Sequence, residues 1–393
     1  MITLTALLAL ALQSPPEKES VQLPGSKLTF EMVKVPGGPG VRPFSMATRE
    51  VTWAEYNVYF AEGNEARKKA DLDGVTRPTM AKAYFGQVQV PPDFLTDPRP
   101  VTNVRWHGAN GYCQWLTRHT GRVFRLPTEK EWELAARAGE KGAAPASLDD
   151  VAWHQGNSDK KTHDVGGRKP NAFGLHDVLG NVWEYCLEVD RTTGFDPVLR
   201  GGSWKTPAAE VGFARRRTVP AEWFTADCVT PRSVWWLGSN QAEQGFRVVC
   251  VPGFADEKER DAAAAKIGFV IKGAEDFEVR LGKERDFFCR LKIEMKNGTD
   301  RSIEELEIRA YYLTPKGKPH LVDKEVTKPG RATFANHWPV LPASAFEGPH
   351  TTPLKPGETR AFNVVLPQSF DTDEEVEYGK FGASVMNVRF AKE

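Results

Sequence analysis

Residues 199–211, LRGGSWKTPAAEV, combine features of a binding site with very few groups that could react. The glycine pair lets a ligand approach the main chain closely, because glycine has no Cβ. No cysteine, carboxylate or histidine follows the RGGSW run at once, and Glu210 comes only later. The stretch therefore has the composition of a site without an evident nucleophile, acid or base.

Three consecutive arginines lie a few residues further on, in the run FARRRTVP. In an extended strand Arg215 and Arg217 point to the same face, because side chains alternate along a strand. A guanidinium holds a carboxylate through two parallel hydrogen bonds. One of the three arginines, Arg215, Arg216 or Arg217, is therefore a candidate anchor for an acidic ligand, with a structural ion pair as the alternative.

Several common active-site patterns are missing from the sequence. The 8 histidines do not cluster, the GGPG at residues 37–40 is not followed by Gly-Lys-Ser/Thr, and no Gly-x-Ser-x-Gly elbow occurs. None of the 5 cysteines forms a CxxC pair, which argues against a zinc knuckle or a thioredoxin-type site. The 52 basic and 52 acidic residues balance, so charge gives no indication of nucleic-acid or anionic-membrane binding.

The first residues, MITLTALLALALQSPPEKES, begin with an apolar segment and then become polar. An apolar run of this length suits a signal peptide and is too short to cross a bilayer. Because no Lys or Arg precedes it, a disordered apolar tail is the alternative. We predict a signal peptide at residues 1–13, a linker at 14–27, and a secreted or periplasmic protein that is at most peripheral to a membrane.

Two domains are predicted, at residues 28–252 and 268–393, because the pattern changes between them. The charged, Ala-rich residues 253–267 form a linker with helical character. The second domain consists of alternating strand-like runs between turn residues, which is typical of an all-β sandwich of immunoglobulin-like type.

Two helices of the first domain can be placed from their N-terminal signals. Thr52 with Glu55, and Thr128 with Glu131, have the spacing of a capping box, in which each side chain accepts a main-chain N–H from the other residue. Gly139 is placed to end the second of these helices.

Five runs of the first domain follow one another in a characteristic order: REVTWAEYNVYF, RLPTEKEWELAARAG, NAFGLHDVLGNVWEY, LRGGSW and GFRVV. Together they resemble the formylglycine-generating enzyme family, the sulfatase-modifying factors. The resemblance covers residues 28–252 and implies a C-type-lectin-like fold with little regular secondary structure. The expected fold class is therefore α+β for this domain, followed by the all-β sandwich.

The resemblance also implies a chemistry that this sequence does not support. Enzymes of the family oxidise a sulfatase cysteine to formylglycine with O2, using copper held by two cysteines just after the RGGS motif. Cu(I) prefers thiolate ligands. Those cysteines should fall near Thr206 and Val211, and neither is Cys. We therefore expect no copper cofactor and assign no catalytic residue.

The run GNVWEY resembles a calcium site of the family. Calcium binds six to eight oxygens, many of them main-chain carbonyls. The resemblance implies side-chain oxygens from Asn181 and Glu184, and carbonyls from Gly180 and Val182. Asn157 resembles a ligand of a second calcium site. The alternative is that Asn181 and Glu184 satisfy buried loop amides.

Ser203 and Trp204 fall where the family's cleft floor lies, and Tyr185 replaces the more usual Trp of the GNVWEW motif. With Arg215 they make up the predicted ligand-lining patch. The alternative is that Trp204 packs in the core and Ser203 caps the main chain.

A Cys113–Cys250 disulfide is also implied by the resemblance, since related enzymes often join the corresponding helix and the GFR strand. There the second cysteine directly follows the GFR arginine, whereas Cys250 lies two residues beyond that position. Two separately buried thiols are the alternative.

The preferred functional hypothesis is an exported, non-catalytic binding or accessory protein whose cleft holds a peptide, a glycan or an envelope protein, with calcium in a structural role. The first alternative is an oxidoreductase of the same superfamily with chemistry other than copper–thiolate. The second is a true formylglycine generator. No nucleic-acid partner is expected.

Overall fold

The computed structural model describes residues 17–69, 98–104, 106–189, 197–218, 243–253, 255, 257–281, 284–313, 319–320, 340–342, 353–367 and 381–391. The predicted signal peptide at residues 1–13 lies outside the described residues. In the part of the chain that is described, no helix has the length and apolar character needed to cross a bilayer.

The N-terminal part, residues 17–253, contains two β-sheets. Its strands are β1 (Lys18–Gln22), β2 (Thr29–Val35), β3 (Phe44–Ala47), β4 (Val123–Arg125), β5 (Trp183–Val189), β6 (Pro197–Arg200), β7 (Arg216–Thr218), β8 (Gln244–Gly245) and β9 (Val249–Val251). One sheet has the strand order β1-β2-β3-β9-β4 and the other the order β7-β6-β5-β8. All pairs are antiparallel except β5 with β8, which run parallel.

Helices of 4 to 17 residues lie between these strands. They are α1 (Trp53–Lys69), α2 (Trp106–Thr120), α3 (Glu129–Arg137), α4 (Leu148–Val151) and a 3₁₀ turn at Ala208–Glu210. This mixture of helices and sheets agrees with the predicted α+β class.

Both predicted capping boxes are confirmed. The Thr52 hydroxyl accepts the Glu55 N–H at 3.2 Å, and the Glu55 carboxylate accepts the Thr52 N–H at 2.8 Å. Thr128 and Glu131 make the same reciprocal pair at the start of α3. This helix ends at Ala138, in the left-handed region, and Gly139 follows with φ 96°, so the predicted helix end is also confirmed.

The register of the β7-β6-β5-β8 sheet assigns its side chains to two faces. Glu184 pairs with Arg200, and Arg200 with Arg216, so these three side chains share one face. Helix α3 covers that face, because its Glu129 binds both arginines and its Glu133 binds Arg200.

The opposite face, called here the Trp183 face, carries the alternate residues. Register neighbours on this face are Tyr185, Leu199 and Arg217 in one row, and Trp183 with Gln244 in another. Tyr185 and Leu199 are fully buried in a core that also contains Tyr56, Tyr112 and Phe246. The Trp183 face therefore runs from a packed aromatic core towards the partly exposed Arg217.

The C-terminal part begins with helix α5 (Glu257–Ala264), and the elements described after it are strands. They are β10 (Ile267–Leu281), β11 (Glu284–Asn297), β12 (Ile303–Leu313), β13 (Pro319–His320), β14 (Val340–Pro342), β15 (Thr359–Pro367) and β16 (Phe381–Phe390). One sheet has the order β10-β11-β15, and in the other β12 pairs with β13, β14 and β16. Ile293 from the first sheet shares a buried core with Leu306 and Val388 from the second.

The two parts meet near residue 253. The Ala255 N–H donates to the Val388 carbonyl at 2.9 Å, and Arg389 donates to the Pro252 carbonyl at 2.6 Å. Burial lowers the pKa of Arg389 to about 9. A charged guanidinium is thus placed in the junction, where removing it from water is costly.

The predicted linker at residues 14–27 needs correction, because it contains β1. This strand pairs with β2, and Val21 and Leu23 are buried in the core. The sequence resembles a linker because the exposed residues of this edge strand are polar or charged. The second predicted linker, residues 253–267, does contain the helix α5.

The predicted disulfide is also corrected, because the thiols of Cys113 and Cys250 are both buried and are not joined. Cys250 lies on β9 between Ser45 of β3 and Phe124 of β4. Its thiol contacts the guanidinium of Arg122 instead, although burial still raises the pKa of the thiol.

Candidate functional site

A fully buried ion pair joins the GNVWEY and GFR runs. Arg247 donates to Glu184 through Nε at 2.7 and 2.8 Å and through Nη2 at 2.6 Å, and neither side chain is exposed. Trp132 of α3 donates its indole N–H to the same carboxylate at 2.8 Å. Three separate segments of the chain are therefore held together by one carboxylate.

Two further buried carboxyl groups lie in the electrostatic field of this pair. Burial, with the charges of Asp177 and Glu184, raises the pKa of Glu50 well above its usual range. Burial likewise raises the pKa of Asp177 to about 6, although the Gly166 N–H donates to it at 2.6 Å. One guanidinium thus lies near three carboxyl groups, and burial disfavours the charged form of Glu50 and Asp177.

Asp177 should make stability depend on pH. Its pKa of about 6 in the folded protein lies above the value of about 3.9 expected in the unfolded chain. The stabilisation is therefore complete below about pH 4 and is lost as pH rises through about 6. We expect the free energy of unfolding of the wild type to fall, relative to Asp177→Asn, by about 1.4 kcal/mol per pH unit in that window.

Denaturant unfolding of both proteins from pH 4 to pH 7, with a chelator present, measures this difference. The side-chain amide introduced by Asp177→Asn keeps an oxygen that can accept the Gly166 N–H, so the variant removes the titration and retains the hydrogen bond. If the free energy of unfolding has the same pH dependence in both proteins, Asp177 does not cause the loss of stability.

The predicted calcium ligands of the GNVWEY run do not fit a calcium site. Both oxygens of Glu184 accept from Arg247, whose positive charge would repel a cation. The Asn181 amide oxygen accepts the His163 N–H at 3.0 Å, and its NH2 group donates to Glu50 at 2.7 Å. The Gly180 N–H donates to the Gly201 carbonyl, and the Val182 N–H donates to the Glu50 carboxylate. These residues hold the loop together, as the alternative interpretation proposed.

Asn157, predicted for a second calcium site, has a similar role. Its oxygen accepts the His154 N–H at 2.8 Å, and its NH2 group donates to the Ala152 carbonyl at 3.1 Å. Within the described ranges, no group of three or more His, Cys, Asp or Glu side chains could hold a metal ion.

The RGGSW turn places Ser203 in the interior and brings residues 206 and 211 together. The Thr206 hydroxyl accepts the Ser203 N–H at 2.9 Å and lies 3.2 Å from the Ser203 hydroxyl. A Cβ at Gly202 would lie 3.2 Å from a methyl of Val211 and 3.6 Å from the methyl of Thr206. Both side chains therefore pack against the same glycine, and both are buried.

Glu243 forms the centre of a polar group next to this turn. Its carboxylate lies 3.3 Å from the Ser203 hydroxyl, 3.2 Å from the Lys205 ammonium and 3.7 Å from the Arg217 guanidinium. The carboxylate is almost completely buried, whereas Lys205 and Arg217 reach the surface. We call Ser203, Lys205, Arg217 and Glu243 the Glu243 cluster.

The predicted ligand-lining patch is assembled only in part. Ser203 belongs to the Glu243 cluster, and the neighbouring Trp204 is partly exposed. Tyr185 is buried in the aromatic core. Arg215 precedes β7 and donates to the Ala209 carbonyl at 3.2 Å on the exposed surface. The arginine that reaches the Glu243 cluster is Arg217.

Two buried side chains on the Trp183 face have polar groups without a hydrogen-bond partner in the part of the chain that the structure describes. They are the indole N–H of Trp183 and both amide atoms of Gln244. Trp183 and Gln244 are register neighbours. Each unpartnered buried group costs about 1–3 kcal/mol.

Glu243 and Gln244 were missed from the sequence. No motif contains them, and the only available signal was their position directly before the recognised GFR run.

Comparison with known proteins shows the family of the chain. Residues 14–250, more than half of the chain, match the model of the sulfatase-modifying factor enzyme 1-like domain. The chain therefore belongs to this family, as the order of its motifs predicted.

Among its curated relatives, an inactive C-alpha-formylglycine-generating enzyme 2 of Mus musculus is 37% identical over 121 residues, 27% of this chain and 37% of that protein. A formylglycine-generating enzyme of Thermomonospora curvata is 34% identical over 207 residues, 43% and 62% of the two chains. A serine/threonine-protein kinase pkn1 of Chlamydia pneumoniae is 31% identical over 158 residues, 36% and 24%. The chain spans less than two thirds of the length of each of these relatives.

Solved structures show weaker likenesses. Treponema denticola variable protein 1 is 23% identical, with a TM-score of 0.43, and the match covers 60% of this chain and all of that one. PvdO from Pseudomonas aeruginosa is 21% identical, with a TM-score of 0.39 and coverage of 61% and 92%.

Proposed function

We propose that the protein is an exported, non-catalytic binding protein that uses the region of the Glu243 cluster to hold a ligand or partner. The observation that carries this proposal is the chemistry at residues 206 and 211, where the family resemblance places copper-binding cysteines. Here a hydroxyl and an isopropyl group pack against Gly202. Neither group can act as a thiolate ligand for Cu(I).

The surroundings of these two residues support the proposal. The Thr206 hydroxyl is engaged by Ser203, and Ser203 is engaged by Glu243. Thr206, one of the two positions that would hold copper, is thus part of a hydrogen-bonded structure centred on a carboxylate. The name of the mouse relative, an inactive enzyme, is consistent with loss of this chemistry within the family.

The proposal includes the finer fold assignments. A C-type-lectin-like fold for the N-terminal part is supported by the family match and by its short elements. An immunoglobulin-like sandwich for the C-terminal part is supported by the core that its two sheets share.

The purified protein is expected not to convert the cysteine of a CxPxR peptide to formylglycine in the presence of Cu(I) and O2. The physical reason is that no thiolate pair is available to bind copper beside the substrate thiol. Mass spectrometry of the peptide measures the conversion. Loss of the thiol with formation of the aldehyde would overturn the proposal.

A gain of metal binding provides the matched control. Because residues 206 and 211 pack on the same glycine, the double variant Thr206→Cys/Val211→Cys should bind one Cu(I) per chain, whereas the wild type should bind none at this site. Equal copper content in both proteins would show that the two positions do not form the family's metal frame.

A further inference from the structure

The side chain of Asn297 connects separate segments of the C-terminal part. It is completely buried at the end of β11, and its NH2 group donates to the carbonyls of Arg301 at 2.8 Å and Leu354 at 2.9 Å. Its amide oxygen accepts the Thr299 N–H at 3.0 Å. The two carbonyls can only accept and this N–H can only donate, so one orientation of the amide fits. The position therefore requires a nitrogen on one side and an oxygen on the other.

The next residue, Gly298, is also required by its surroundings. A Cβ at this position would lie 2.2 Å from the Lys266 carbonyl oxygen, and the Gly298 N–H donates to that same carbonyl at 3.1 Å. Glycine has no Cβ, so the fold needs Asn followed by Gly. In such a pair no Cβ hinders attack on the asparagine side chain by the following main-chain nitrogen. The fold thus retains a pair that is chemically reactive in a flexible chain.

The reaction is deamidation through a cyclic imide. The Gly298 nitrogen forms a bond to Cγ of Asn297, and the bond from Cγ to the side-chain nitrogen breaks. Ammonia leaves, made up of the NH2 group and the proton of the Gly298 N–H. Water then opens the imide at either carbonyl and gives aspartate or isoaspartate. Ring closure needs rotation of the main chain and the side chain of Asn297, and in the folded protein the hydrogen bonds of both groups oppose it.

Either product would damage this part of the fold. In aspartate, an oxygen replaces the NH2 group and faces the carbonyl oxygens of Arg301 and Leu354, which have no proton to donate. A buried oxygen beside two acceptors costs stability, and more so when it is charged. In isoaspartate, the main chain gains a methylene group at the residue that pairs with Ile267 of β10. The added length disrupts the register of the two strands.

We infer that Asn297–Gly298 is a conditional deamidation site: the folded chain keeps the amide intact, whereas a chain that stays unfolded loses it and can no longer fold its C-terminal part. The modification needs water and no enzyme. Because ammonia is lost, the reaction is not reversed by refolding. The pair therefore limits how long an unfolded chain stays competent to fold, whatever the N-terminal part binds.

Incubation of the full chain in mildly alkaline buffer, folded and in concentrated urea, tests the inference. Peptide mapping by mass spectrometry follows the gain of one mass unit at Asn297. The other Asn–Gly pair of the chain is Asn110–Gly111, and incubation continues until Asn110 has converted in urea. We expect Asn297 to convert at least tenfold faster in urea than in the folded protein. Equal rates in the two conditions would overturn the inference.

Refolding measures the consequence for the chain. The variant Asn110→Ala removes the second pair and places a residue that favours helix within α2, so loss of refolding in this background reports Asn297. After increasing times in urea followed by dilution, the refolded fraction should fall as conversion at Asn297 rises. Refolded protein should contain unmodified Asn297. Refolded chains that carry the modified residue in proportion to its total conversion would contradict the inference.

Two substitutions imitate the aspartate product directly. Asn297→Asp should make the C-terminal part susceptible to limited proteolysis in the full chain. Asn110→Asp is the matched control, because Asn110 is only partly buried and donates to the Trp106 carbonyl within its own helix. This control should leave the C-terminal part resistant. Resistance of the C-terminal part in both variants, or equal cleavage in both, would show that the fold does not require the amide of Asn297.

Discussion

Arg247→Met is expected to lower the free energy of unfolding by about 3–5 kcal/mol, because it leaves the Glu184 carboxylate buried without its cation. The two side chains are completely buried, and Arg247 donates to Glu184 at distances down to 2.6 Å. Arg247 also donates to the carbonyls of Ala47 and His176, so three segments lose a common partner. Urea unfolding followed by tryptophan fluorescence measures the change.

The double variant Glu184→Leu/Arg247→Met is the control for this prediction. It removes both charges together, so no unpaired charge remains in the interior, and it should be more stable than Arg247→Met alone. If the double variant loses as much stability as the sum of the two single variants, the pair contributes through packing and not through charge.

Gly180→Ala is expected to destabilise the protein by about 2–5 kcal/mol, the sum of about 1–2 kcal/mol for a left-handed backbone and about 1–3 kcal/mol for overpacking. Gly180 has φ 79°, and a Cβ there would lie 2.2 Å from the Trp153 carbonyl oxygen. That contact is with main chain, which cannot rotate away as a side chain can. Thermal and urea unfolding both measure the loss.

Gly166→Ala separates the two contributions. Gly166 has nearly the same φ, 80°, but a Cβ there would have no neighbour within 4 Å. This variant should therefore show only the backbone contribution. Equal losses for the two variants would mean that the approach of Gly180 to Trp153 is not tight in solution.

Local features could be predicted because their causes lie within a few residues. The Thr52–Glu55 and Thr128–Glu131 boxes depend on a spacing of three residues, and both form. The family could likewise be assigned from the order of the motifs, without knowledge of contacts. The family match confirms this assignment. By contrast, strand β1 was not predicted. It is an edge strand in which only Val21 is buried, so its sequence resembles that of a polar linker.

The candidate site depended on contacts that no local pattern contains. The sequence could not choose between calcium and loop amides for Asn181 and Glu184, since the answer depends on Arg247, which is distant in the chain. The sequence predicted Arg215 in the ligand-lining patch. In the structure β7 begins at Arg216, so Arg217 lies within the strand and Arg215 lies outside it.

The sequence by itself determined the helix caps, the family and the absence of cysteines at 206 and 211. The tertiary structure alone decided that Glu243 meets Ser203 and that the amide of Gln244 has no partner among the described residues. The physical reason is that capping depends on neighbours along the chain. Pairing of buried charges and amides depends on strand register, which brings distant residues into contact.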